Sequence, residues 1–133
     1  MTEIQLLRPE GLVHSPAFSH VAVVPPGATT VYVGGQNAVD ADGTLVGGDD
    51  VAAQTTKTME NVVTALAAAG LGVEHLVSVT VVLVAGVDVP AAYGAAARFL
   101  AGSATPPLVS SALVSALGVP GALVEVSAVA ASI

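Results

Sequence analysis

The sequence predicts an α+β fold, and three features carry that prediction. One long segment, Asp49 to Gly70, has the three- and four-residue apolar spacing of a helix, and a shorter helical segment follows Asp88 and Pro90. The other apolar residues stand in short valine-rich runs of strand character, broken by Gly, Pro, Asp or Ser. The resulting order, β-β-α-β-α-β-β, places two helices on one face of a mixed sheet and leaves the other face in need of cover.

Residues 1–20, with Pro9, Gly11, Ser15 and Pro16, read as an arm that ends in Phe18 as an anchor. Val21 to Val24 is a short strand, Pro25-Pro26-Gly27 a turn, and Thr30 to Gly35 (TVYVGG) a second strand, and the two are expected to form a hairpin. Gly34 and Gly35 weaken the end of that strand, as glycines do at a bulge or where another group approaches the backbone. Asn37 to Gly48 is a turn-rich connection.

In the long helix, Val51, Thr55, Met59, Val62, Leu66 and Ala69 fall on one stripe and Lys57, Glu60, Asn61 and Thr64 largely on the other side. Asp49 or Asp50 caps its start and Gly70 ends it in a left-handed conformation. Leu76 to Val84 is apolar on both faces in its second half, which suits a central strand. The second helix runs from Asp88 and Pro90 to Gly102, with Val89, Ala92, Ala96 and Leu100 along one side. Pro106-Pro107 then breaks the chain, and strands Leu108 to Leu117 and Leu123 to Ala130 flank a turn at Gly118 to Gly121.

A length of 133 residues suits one domain, 1–133, with a single two-layer core. No apolar run approaches the roughly 20 residues of a membrane span. Glu3, Gln5, Arg8 and Glu10 interrupt any secretory pattern, so a cytoplasmic location is expected. The absence of cysteine excludes disulfides, thiolate nucleophiles and thiolate metal sites. Arg8, Lys57 and Arg98 face ten acidic residues, and a net charge of −7 repels a phosphate backbone, so nucleic acid is not an expected partner. Only 10% of residues are charged, against about 25% in an ordinary soluble domain. That is too little charge to cover a monomer, and some apolar surface is expected to lie against another subunit.

Glu125, within VEVSAVAA, is the most unusual polar residue, because a carboxylate among apolar neighbours in a strand must be paired, protonated or exposed. It is either a structural group on a solvated edge or a ligand-contacting or acid/base group. His14, His20 and His75 lack the spacing of a helical metal pair and read as surface or turn residues. Ser15, Ser19, Ser110, Ser111 and Ser115 are outside any G-x-S-x-G elbow, and Gly34-Gly35 lacks the phosphate-cradling patterns. Tyr93 and Arg98 are isolated polar-tipped residues in an alanine-rich helix, where packing is the plainer reading for Tyr93.

Several stretches taken in order resemble the reactive intermediate deaminase (RidA/YjgF/UK114) family. They are Ser15 to His20 (SPAFSH), Val31 to Gln36 (VYVGGQ), Gln54 and Asn61 in a helix ending AAAG, Val79-Thr80-Val81, Pro106-Pro107, and Leu123 to Ala130 (LVEVSAVA). The resemblance runs from about residue 15 to 131. It implies a chorismate-mutase-like fold with a six-stranded mixed sheet and two helices on one face, a homotrimer, and three clefts between subunits. It also implies, for members with deaminase activity, hydrolysis of 2-imino or enamine acids to the 2-keto acid and ammonia without metal or cofactor.

Matched position by position, the resemblance makes Glu125 the candidate catalytic residue and Phe18, Gly34, Gly35, Tyr93, Val109 and Ser111 the ligand-binding candidates. The family pattern Pro-x-Arg-Ser falls on Pro107-Leu108-Val109-Ser110, so Val109 stands where active members carry the arginine that grips the substrate carboxylate. Phe18 takes the place of the usual tyrosine, Tyr93 of an asparagine and Gly34 of a serine, while Gly35 and Glu125 are retained. Two functions follow as expectations. One is an imine or enamine hydrolase of altered substrate range, with Glu125 orienting water and Arg98 serving the anion only if it turns into the cleft. The other is a non-catalytic metabolite-binding or pathway-accessory trimer that takes a less anionic, more apolar ligand through Glu125, Tyr93 and Ser111.

Overall fold

The computed structural model describes residues 2–101 and 105–133. Among these residues, six strands and two helices follow in the order β1 (Gln5–Leu7), β2 (Val21–Val23), β3 (Thr29–Gln36), α1 (Val51–Ala68), β4 (Leu76–Val84), α2 (Val89–Leu100), β5 (Leu108–Val114) and β6 (Val124–Ser132). A 3-10 turn at Val73–His75 leads into β4. The α+β class holds. The six strands expected in one mixed sheet divide instead between a main sheet of order β3-β6-β4-β5 and a two-stranded ribbon, β1-β2.

The expected hairpin of the second and third strands does not form. β2 pairs antiparallel with β1, Ala22 opposite Leu6, and β3 pairs antiparallel with β6, Val31 opposite Ala130. The Pro25-Pro26-Gly27 turn therefore carries the chain from the ribbon to the main sheet. A single parallel bridge between Ser19 and Leu108 joins the arm to the edge strand β5. There the buried Ser19 donates its hydroxyl to the Pro106 carbonyl at 2.6 Å and its amide to that of Pro107 at 3.1 Å.

α1 starts where its cap predicts. The Asp50 carboxylate accepts the Ala53 amide proton at 3.1 Å, and Gly70 has φ +75° beyond the last turn. Its buried side chains are Val51, Gln54, Thr55, Thr58, Met59, Val62 and Leu66, whereas Ala69 is exposed. Asn61, expected on the outer side, is half-buried and donates to the carbonyls of Asn37 and Val39, both at 2.9 Å. It thereby ties the turn-rich connection to the helix. α2 has Asp88 as its cap and Pro90 in its first turn. The expected end of this helix at Gly102 lies outside the described residues.

β4 lies between β6 and β5, consistent with its apolar character on both faces. It runs parallel to β5, with α2 as the crossover. β3 and β4 are each antiparallel to β6, so β6 fills the gap in the β3-α1-β4 unit. Met59, Val62 and Leu66 of α1 join Ala92 and Ala96 of α2 in one cluster with Val79, Val81, Val126 and Ala128 of the sheet. Both helices thus cover the same face.

Candidate functional site

Strand register decides which candidate side chains can meet. Val79 of β4 pairs with Val109 of β5 and Ala128 of β6, while Val82 pairs with Glu125. Side chains alternate along a strand, so Val109 and Ser111 point to the helix side and Glu125 to the opposite side.

On the helix side a cavity of about 340 Å³ lies between α2 and the sheet. Tyr93, Ala96, Ala97 and Leu100 line it from the helix, Val79, Val81, Val109 and Ser111 from the sheet, and Phe18 from the arm. The Ser19 anchor places Phe18 there, and the Phe18 ring in turn meets His20 edge-on, with centroids 5.4 Å apart. The cavity exists because α2 is made of alanines where a larger side chain would fill the space to the valines opposite. None of its lining side chains is charged. Its polar lining is the hydroxyls of the half-buried Tyr93 and of Ser111, which is open to solvent, and neither makes a hydrogen bond within the chain among the described residues.

The opposite side holds Glu125 and the glycine pair. The register slips by one residue between Val33 and Gln36, so Gly34 and Gly35 form a bulge against β6. A methyl group at Gly35 would lie 2.9 Å from Cδ of Glu125 and 3.1 Å from its Oε2. Both readings of the glycine pair therefore apply, a bulge and a close approach. Glu125 is half-buried, and among the described residues its carboxylate has no hydrogen-bond or ion-pair partner. Gly34, with the exposed Tyr32, lines a shallow depression on this face beside Ser78, Thr80 and Ser127.

The sequence candidates thus form two groups, Phe18, Tyr93, Val109 and Ser111 around the cavity and Gly34, Gly35 and Glu125 across the sheet. Arg98 joins neither. It is exposed on α2 and donates from Nη2 to the Thr56 hydroxyl of α1 at 3.1 Å. Sequence reasoning missed Met59, Ala97 and Leu100 as cavity walls, because their spacing marks them as core or surface of a helix. The signal that carries the cavity is the run of small residues in YGAAARFL facing a valine strand. Among the described residues no group of three or more His, Asp or Glu side chains could hold a metal ion, and no helix is long and apolar enough to cross a membrane. His20 donates from Nε2 to the Val13 carbonyl at 2.7 Å, and His75 accepts the Gly72 amide proton on Nδ1 at 3.0 Å.

The sequence profile of the family described as Endoribonuclease L-PSP matches residues 12–132. The chain belongs to this family. No curated protein matches the sequence. Among solved structures, this Rid/L-PSP protein is similar to a Yersinia pestis protein of unknown function, YyfB of the conserved Rid family. The two share 30% identity over 97% of this chain and 98% of that one, with a TM-score of 0.85. A Mycobacterium tuberculosis member of the YjgF/YER057c/UK114 family superposes with a TM-score of 0.65 at 23% identity, covering 98% of this chain and 100% of that one. Escherichia coli TdcF, solved with bound serine, gives a TM-score of 0.71 at 23% identity over 93% and 100% of the two chains. The Rid-family resemblance read from the sequence is thereby borne out, and with it the fold.

Proposed function

We propose that this Rid-family protein binds a small metabolite in a cleft between subunits of a homotrimer. The cavity of one subunit would face the Glu125–Gly35 wall of the next. The observation that carries this reading is the placement of the two candidate groups on opposite faces of one sheet. Within a single chain they cannot act on the same molecule, whereas a second copy docked on the open face brings them together. The exposed Tyr32 and the low charge of the chain support burial of that face.

The cavity offers no grip for a carboxylate. Val109 contributes only methyl groups, Arg98 is engaged with Thr56, and no lining side chain is charged. Removing one partner of a buried charge pair costs about 2–5 kcal/mol, and an anion brought to Val109 would lose its hydration without such a partner. Binding of a less anionic ligand is therefore the reading favoured over rapid turnover of short imino acids. The net charge of −7 argues against extending the ribonuclease of the family's name to this chain.

A second reading, imine or enamine hydrolysis of altered range, is favoured by the carboxylate of Glu125, which has no partner among the described residues and is available to orient a water molecule. An assay in which an amino-acid oxidase generates the imine, and keto-acid release is followed, separates the two. Wild-type protein is expected to accelerate release from short imino acids little or not at all. Val109→Arg is expected to raise the rate by about tenfold or more, equivalent to about 1.4 kcal/mol. Wild-type rates equal to those of an arginine-containing relative would show that another group holds the carboxylate.

A further inference from the structure

We propose that the cavity beneath α2 selects a ring-sized ligand without a carboxylate, a flat and largely apolar molecule with one hydrogen-bonding group such as a neutral amide or hydroxyl. This deepens the small-molecule reading above and rests on it. Size is the first argument. An apolar cavity of about 150 Å³ accepts benzene, and at about 340 Å³ this one has room for a ring with a short substituent. Shape is the second, since Phe18 and Tyr93 contribute aromatic walls that stack or meet edge-on with a flat ring better than with a flexible chain.

Charge decides the class. With no cationic side chain in the lining, an entering carboxylate gives up its hydration uncompensated, and the Glu125 carboxylate that the proposed trimer brings opposite adds like-charge repulsion. The Tyr93 and Ser111 hydroxyls, each without a hydrogen bond among the described residues, are able both to donate and to accept. They match one neutral polar group and leave the rest of the ligand to apolar contact.

Benzamide and benzoate share one ring and differ in charge, so titrating each into the wild-type protein by calorimetry or ligand-observed NMR isolates that variable. Benzamide is expected to bind about tenfold or more tightly than benzoate. Tyr93→Phe and Ser111→Ala are each expected to weaken benzamide severalfold while leaving the circular dichroism spectrum unchanged. Val109→Arg is expected to shift the preference toward benzoate. Benzoate binding as tightly as benzamide overturns the ligand class and leaves the small-molecule site standing. Absence of binding by both to folded protein overturns the small-molecule reading itself.

Discussion

Gly35 and Gly47 are both crowded, but by different kinds of atom. A methyl group at Gly35 would meet the carboxylate end of Glu125, a flexible side chain, whereas at Gly47, with φ +100°, it would lie 2.9 Å from the main-chain nitrogen of Gln54. Gly35→Ala is therefore expected to displace the carboxylate at a cost below about 1 kcal/mol. Gly47→Ala adds left-handed strain to a backbone clash and is expected to cost about 1–3 kcal/mol. Urea denaturation measures both, and equal losses would show that Glu125 is held rigidly in place. The pair Gly34-Gly35 was legible in the sequence because glycines at a strand end signal a local backbone event. That Glu125 lies near Gly35 was expected through the family resemblance, which put both in one site, whereas that Val109 faces away from both was not legible, since it depends on register between strands far apart in the chain.

At the scale of the element, α1 is fastened to the end of the sheet by Gln54, which is completely buried. Its Nε2 donates to the carbonyls of Gly48 at 2.7 Å and Gly121 at 3.0 Å, and its Oε1 accepts the Leu123 amide proton at 2.9 Å. Gln54→Met keeps the volume and strands those three backbone groups, with an expected loss of about 2–4 kcal/mol. Asp50→Ala removes one capping bond and is expected to cost about 1 kcal/mol. The order of the two urea midpoints checks the argument, and a milder effect for Gln54→Met would mean that water replaces the amide. The limits of α1 and β4 were readable because caps and apolar spacing are local signals. β1, three residues without a distinctive pattern, was not, and its pairing with β2 displaced the hairpin that Pro25-Pro26-Gly27 suggested.

For the whole molecule, the face opposite the helices bears Tyr32, 79% exposed in the single chain, beside Gly34 and Thr80. If the proposed trimer covers this face, light scattering should give about three times the chain mass of 12.9 kDa. Tyr32→Asp should shift the protein toward monomer while preserving its far-ultraviolet circular dichroism. A wild-type mass near that of one chain would remove the trimer and the shared cleft with it. The position of β6 bears on how the protein is made. It separates β3 from β4 in the sheet, yet it is translated after both. A chain still on the ribosome without residues 124–132 has its helices and outer strands but no middle to the sheet, and two valine-rich edges stand open. The fold closes only after that strand clears the exit tunnel, and until then those two edges stay unpaired.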